Sequence, residues 1–306
     1  MYNAHFGFDV EPFRVNPDPR FLYLSESHRE ALASLIYTVQ ERKGFMVLTG
    51  EVGTGKTTLL NAMLRKLHPG VQTAYLFNTA LTVPDFFAYL FDELELESAP
   101  LEPFHKSAVL HRLNEYLIDR LKQGLQTLLV VDEAQNLSAE LLEEIRMLSN
   151  LETPQSKLLQ IMLVGQPELA AKLRRPGLRQ LRQRVELWAQ LRPLSRIETG
   201  AYVQERMMIA GHEDGGVFNR KALSSVHRHS GGIPRIVNVL CDNSLLTAFA
   251  RRSVSVSAQM VRESAHELSL GDCEPVGRER AREPRVAKDG WLRRIWSRRS
   301  PSAGLA

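Results

Sequence analysis

The sequence predicts an α/β fold: a parallel five-stranded sheet sandwiched by helices, followed by an all-helical region. Three observations carry this. Short apolar runs of strand length alternate with stretches of helical spacing up to about residue 193. Continuous apolar runs mark strands buried on both faces, as parallel sheets require. The first such run, Phe45-Met46-Val47-Leu48-Thr49, leads straight into a glycine-rich turn and then a helix-forming segment. After Pro193 the strand signals stop and only helical spacing remains.

The elements follow in chain order. Residues 1–24 are rich in aromatics and prolines (Phe6, Phe8, Pro12, Phe13, Pro17, Pro19, Phe21, Tyr23). They read as an ordered, extended arm, because proline blocks helix and strand ladders alike. Residues 26–42 have helical spacing, 45–49 form the first strand, and a helix runs to about residue 67, where Pro69-Gly70 breaks it. A second strand covers 71–77. Pro84 opens a helix through residue 91, and an amphipathic helix spans 104–122, ended by Gly124. Residues 127–131 are a fully apolar third strand, 139–151 a helix, 157–164 a fourth strand and 185–191 a fifth. Helical segments then cover about 195–210, 219–229, 234–250 and 257–269. The expected domains are an arm (1–24), an α/β domain (25–193), a helical lid (194–270) and a basic tail (271–306) that reads as disordered.

Composition narrows the classes. A chain of 306 residues with 43% hydrophobic content can bury a sizeable core and more than one domain. No run of about 18 apolar residues suggests a membrane span, and the N-terminal stretch lacks the apolar segment of a signal peptide. Cys241 and Cys273 form neither a metal spacing nor a disulfide framework. Cys241 falls in an apolar helical pattern and reads as a buried structural thiol, which fits a reducing cytoplasm. The net charge is +4, and the tail, with nine Arg or Lys against five acids, holds all of it. A neutral body argues against a generic DNA-coating protein.

Residues 50–57, Gly50-Glu51-Val52-Gly53-Thr54-Gly55-Lys56-Thr57, fit G-x-x-x-x-G-K-[ST]. The chemistry follows from the residue types. Glycines let backbone N–H groups turn inward around an anion, and the helix that starts there adds its positive end. Lys56 is placed to reach β- and γ-phosphates and the Thr57 hydroxyl to ligate Mg²⁺, with Thr58 beside it. The partner motif lies about 75 residues on, where Leu128-Leu129-Val130-Val131 ends in Asp132-Glu133. Asp132 can hold Mg²⁺ through water, and Glu133 can polarise the attacking water. The adjacent glutamate separates a water-activating NTPase from kinases and switch GTPases. No guanine-reading Asn-Lys-x-Asp is found, so the expected nucleotide is ATP.

Three further features fit. Gln166, after the fourth strand, either reaches the γ-phosphate or water or closes the turn before Pro167. Arg235, at a helix start in Gly231-Gly232-Ile233-Pro234-Arg235, either swings onto the nucleotide and couples it to lid angle or sits at the surface. Arg179, Arg182 and Arg184 precede the fifth strand; one, Arg182 or Arg184, acts on a neighbour's phosphate in an oligomer, or all form a solvated basic face.

Together these residues resemble the AAA+ ATPase superfamily: strand, P-loop and helix, an Asp-Glu box, a polar residue after strand four, and a lid arginine. More narrowly, several strings resemble the ExeA/GspA-like group, named for general secretion pathway protein A. They include Pro12-Phe13 with Pro17-Asp18-Pro19, His28-Arg29-Glu30-Ala31-Leu32, Val131-Asp132-Glu133-Ala134-Gln135, Leu163-Val164-Gly165-Gln166-Pro167-Glu168-Leu169, and Gly232-Ile233-Pro234-Arg235-Ile236-Val237-Asn238 with Cys241-Asp242. The resemblance covers about residues 1–269. It implies Mg-ATP binding and hydrolysis, and homo-oligomerisation coupled to envelope assembly; related ATPases serve pilus biogenesis, polysaccharide export and transposition. Secretion members carry a transmembrane helix and a peptidoglycan-binding module after this region, and residues 271–306 contain neither. The leading expectation is a cytoplasmic Mg-ATP hydrolase serving envelope or export machinery. Alternatives are a DNA-associated ATPase and a slow ATP-binding switch. In the tail, Trp291, Leu292, Ile295 and Trp296 share a helical face bordered by Arg293, Arg294, Arg298 and Arg299, so 291–299 is a candidate peripheral contact with anionic lipid.

Overall fold

The computed structural model describes residues 2–14, 18–77, 81–96 and 104–271. The tail, with its candidate lipid-binding face, and Cys273 lie outside them.

In chain order the elements are α1 (Asn3–Phe6), α2 (Glu26–Gln40), β1 (Phe45–Gly50), α3 (Lys56–Leu64), β2 (Val71–Leu76), α4 (Val83–Glu93), α5 (Lys106–Lys122), β3 (Gln126–Val131), α6 (Ala139–Leu148), β4 (Gln160–Gly165), α7 (Pro167–Leu173), α8 (Arg179–Arg184), β5 (Leu187–Leu191), α9 (Arg196–Ile209), α10 (Arg220–Ser230), α11 (Pro234–Ala250) and α12 (Ala258–Glu267). Short 3₁₀ turns cover Pro19–Phe21, Ala134–Asn136 and Pro176–Leu178.

The five strands form one parallel sheet in the order β2-β3-β4-β1-β5. Every residue of β1 and β4 is buried, as their unbroken apolar runs require. Leu59, Leu60 and Met63 of α3 and Leu35 and Val39 of α2 pack on one face against Met46, Leu48, Val130 and Met162. Phe86, Phe87, Leu113, Leu142 and Leu169 cover the other face against Phe45, Val47, Leu129 and Leu163. Because all strands run the same way, the residues following β1, β3 and β4 gather at one edge, where ligands bind in open α/β sheets.

Helices α9 to α12 build a separate core around Val203, Met207, Val237, Leu240 and Cys241. Cys241 is fully buried, and burial pushes its thiol pKa up. The arm joins this core rather than the sheet: Tyr2, Phe6, Phe8, Phe13 and Phe21 are buried in it. The Tyr2 hydroxyl donates to Asp242 of α11. Arg206 of α9 is buried beneath the arm. Its Nε donates to the Pro12 carbonyl at 2.6 Å, and its guanidinium lies 4.5 Å from the Phe21 ring centre.

The arm is not extended throughout, as its prolines suggested. Residues 3–6 precede the first proline and make one helical turn, stopped by Gly7 at φ 71°. The fourth strand starts at Gln160 rather than 157, because Lys157 forms an antiparallel bridge with Glu152 across a local turn. The helix after it, α7, and the short α1 gave no periodic signal long enough to read.

Candidate nucleotide-binding site

Residues 51–55 form the loop between β1 and α3, with Gly53 and Gly55 at φ 80° and 95°. Gly55 is the N-cap of α3. The N–H groups of Lys56, Thr57 and Thr58 open the helix and find no backbone carbonyl partner among the described residues. They are the orphan donors of a helix start, turned toward a space that suits an anion. Lys56 is buried and its Nζ donates to the Gly50 and Glu51 carbonyls at 2.9 and 3.1 Å. Burial lowers its pKa, while Glu133, Asp132 and Glu51 oppose the shift.

Asp132 directly follows β3, the neighbour of β4 in the sheet. Its Oδ2 accepts from the Thr57 hydroxyl at 3.3 Å and from the Tyr75 hydroxyl at 2.8 Å, and its Oδ1 accepts the Glu133 N–H at 2.9 Å. Burial, and then Asp132, push the Tyr75 pKa well up, so Tyr75 stays a protonated donor. A hydroxyl and a carboxylate brought together beside a ring of N–H donors is a donor set of hard oxygens that fits Mg²⁺ bound with phosphate. Glu133 sits at φ 50°, a left-handed backbone costing a non-glycine residue about 1–2 kcal/mol.

Glu133 Oε2 accepts from the side-chain amides of Gln135 at 2.6 Å and Gln166 at 3.3 Å. The sequence reading singled out Gln166 and gave Gln135 no role.

One cavity of about 460 Å³ joins these parts. Val52, Gly53, Thr54, Gly55, Lys56, Thr57, Thr58 and Glu133 line it from the α/β side, and Tyr202, Arg206, Arg235 and Asn238 from the helical side. The arm contributes Phe21, Leu22 and Tyr23. Of the remaining expected residues, Asp132 and Gln166 are bonded to Thr57 and Glu133, which line the cavity, without lining it themselves. Gly50 lies behind the loop, where a Cβ would meet Thr54 Oγ1 at 2.8 Å, and Glu51 points to solvent.

Arg235 touches the P-loop directly. Its N–H donates to the Gly53 carbonyl at 3.2 Å, so the start of α11 rests on the loop. Arg182 and Arg184 lie apart from the cavity. Arg184 is half-buried and donates to the Ser149 carbonyl at 3.3 Å within its own chain, whereas Arg182 is exposed.

His28 was missed because nothing in its local sequence points to the loop. Its Nε2 lies 2.9 Å from the Thr54 carbonyl, which can only accept, so Nε2 carries a proton; its Nδ1 lies 2.6 Å from the Ser25 hydroxyl. Burial lowers its pKa, against the Thr54 hydrogen bond and the Glu198 charge. No described helix is long and apolar enough to cross a membrane.

Residues 39–173 match the AAA domain family. The chain is 44% identical over 273 residues to general secretion pathway protein A of Aeromonas hydrophila, a match covering 88% of this chain and 49% of that protein. It thus spans about half the length of that relative. Among solved structures, the Aeropyrum pernix ORC2 protein in its ADPNP-ADP complexes aligns with a TM-score of 0.61 and 17% identity, over 87% of this chain and 73% of that one. Cdc6p from Pyrobaculum aerophilum aligns with a TM-score of 0.63 and 18% identity, over 82% and 71%. At such identities the likeness concerns the fold alone.

Proposed function

Since the chain carries an AAA+ domain of the general secretion pathway protein A-like group, we propose that it is a Mg-dependent ATP hydrolase whose cycle moves the helical lid against the sheet. The observation that carries this reading is the meeting, at one cavity, of the P-loop, Glu133 and the first turn of α11, with Asp132 bonded to Thr57 of the cavity wall. In this reading residues 50–58 cradle the phosphates, Lys56 leaves its two carbonyl acceptors for the terminal phosphates, and Thr57 and Asp132 hold Mg²⁺. The ion supplies charge neutralisation on the phosphate oxygens. Glu133 takes a proton from the attacking water, and Gln166 aligns that water or the γ-phosphate. Arg235 reports nucleotide state to the lid through its contact with Gly53.

Several levels stand beyond this. A homo-oligomer would let an arginine act in trans; exposed Arg182 suits that role better than Arg184, which is engaged at Ser149. Mixing an inactive Arg182→Ala protein with a Lys56→Ala protein then restores turnover, and specific activity independent of concentration counts against it. The relative's name, a general secretion pathway protein, supports service to a secretion or export assembly; in this reading the protein works in the cytoplasm or at the inner face of the membrane. A second reading, a DNA-associated ATPase, draws on residues 172–184, which hold six basic residues and no acidic one. Salt-dependent binding to duplex DNA distinguishes it.

The deciding test is Glu133→Gln. The variant keeps ATP affinity and loses turnover; hydrolysis at the parental rate would show that another group activates the water.

A further inference from the structure

Glu133 is held by an amide that the hydrolysis scheme above leaves without a task. Gln135 lies in the 3₁₀ turn Ala134–Asn136. Its side-chain nitrogen donates to Glu133 Oε2 at 2.6 Å, and its side-chain oxygen accepts the Gln166 N–H at 3.1 Å. The Gln166 side chain adds a second donor to the same Oε2 at 3.3 Å. Both donors therefore converge on one carboxylate oxygen, and Oε1 has no hydrogen-bond partner among the described residues. A carboxylate rotates about its last bond with little preference of its own. Two donors on one oxygen remove that freedom and leave the other oxygen to the cavity that Glu133 lines.

Gln135 is itself well supported. Lys172 of α7 donates to the Gln135 carbonyl at 3.0 Å and also to the Leu137 carbonyl, so an ammonium staples the turn to the helix after β4. Gly165, the last residue of β4, leaves the space the carboxamide occupies: a Cβ there would stand 2.6 Å from Gln135 Oε1. The amide thus bridges the ends of two adjacent strands, β3 through Glu133 and β4 through Gln166.

We propose that Gln135 is a positioning residue for hydrolysis. It fixes the Glu133 carboxylate with one oxygen free for the attacking water, and it ties that orientation to the end of β4, so that a shift of Gln166 moves the carboxylate with it. The inference rests on the reading of Glu133 as the group that receives the water's proton.

The test uses the full chain with Gln135→Glu, Gln135→Ala and Glu133→Gln measured side by side for ATP and ADP affinity, kcat, and the pH dependence of kcat. Gln135→Glu keeps the size of the side chain but when ionised cannot donate, and it sets a second carboxylate against Glu133, which favours protonation of the pair. Both Gln135 variants should retain nucleotide affinity within about twofold and lose about tenfold or more in kcat. In Gln135→Glu the acidic limb of the kcat profile should move to higher pH. A role confined to packing would lower melting temperature in Gln135→Ala and leave that limb in place. If Glu133→Gln is inactive while Gln135→Glu turns over at the parental rate with an unmoved profile, the positioning role is wrong. If Glu133→Gln itself turns over normally, the reading beneath it fails instead.

Discussion

The contact between the P-loop and the lid can be tested by adding a single methyl group. Gly53 sits at φ 80°, and a Cβ built there lies 2.7 Å from Arg235 Cβ and 3.1 Å from Ile233 Cγ2. Ordinary carbon contacts are about 3.5–4.0 Å, so the overlap is about 1 Å. The nearer atom is a Cβ, fixed to the backbone of α11, and no rotamer change relieves it. Gly53→Ala then carries two costs. Holding alanine in the left-handed region costs about 1–2 kcal/mol. Forcing α11 off the loop adds about 1–3 kcal/mol of overpacking, plus about 1 kcal/mol for the Arg235 N–H to Gly53 bond. Gly124 provides the control, because at φ 75° it has nothing within 4 Å of its built Cβ. Gly124→Ala therefore pays only the backbone cost. The excess for Gly53→Ala is about 2–4 kcal/mol, roughly 4–16 °C in melting temperature for a domain of this size. Differential scanning calorimetry of both variants, with ADP titrations by calorimetry, reads the difference. Equal melting shifts together with equal ADP affinities would refute the reasoning.

Lys56→Ala removes a charge-assisted contact to phosphate, and ATP affinity should fall roughly 10- to 100-fold or more; unchanged ATP affinity in a folded variant would remove the P-loop assignment. His28 is held neutral by burial, with its folded pKa below the ordinary 6.5. Its stabilising effect is therefore full above pH 6.5 and is lost as pH falls from there through the folded pKa. The gap in urea midpoint between the parental protein and His28→Asn should narrow from pH 8 to pH 5, and a constant gap contradicts this. Arg206→Ala leaves the Pro12 carbonyl and the Tyr202 hydroxyl without their donor and bares the Phe21 ring, at a cost of roughly 2–4 kcal/mol by urea unfolding. Arg206→Lys should not restore it, since an ammonium cannot bond along one edge and stack on a ring at once; a loss under about 0.5 kcal/mol would speak against the clamp.

The parts legible in the sequence were those written in consecutive residues. A glycine-rich turn after an apolar run, and two acids after another, declare the P-loop and the Asp132–Glu133 pair without reference to anything distant. The parallel sheet was legible for the same reason, since β1, β3 and β4 are unbroken apolar runs. Strand order was not, because which run pairs with which depends on the crossovers; β1 between β4 and β5 leaves no local trace. The supporting residues were hidden in the same way. Tyr75 reaches Asp132 across 57 positions, and Arg206 reaches Pro12 across 194. Gln135 was in plain view within a motif, yet its task depends on the Gln166 N–H, which only the adjacency of β3 and β4 brings close.

The docking of residues 2–13 on the helical lid has a consequence for how the chain is made. Tyr2 and its partner Asp242 are 240 positions apart. At about 5–20 residues per second, the ribosome supplies that partner roughly 12–50 seconds after the tyrosine. For most of that interval Phe6, Phe8 and Phe13 have no native surface to cover them, because the residues they meet, such as His212 and Phe218, are also made late, while the sheet can already assemble. The first aromatics synthesised are thus among the last to be buried, which makes them natural footholds for a chaperone. A slow codon stretch near the lid would prolong their exposure, and aggregation during expression should track that delay more closely than it tracks the equilibrium stability of the finished fold.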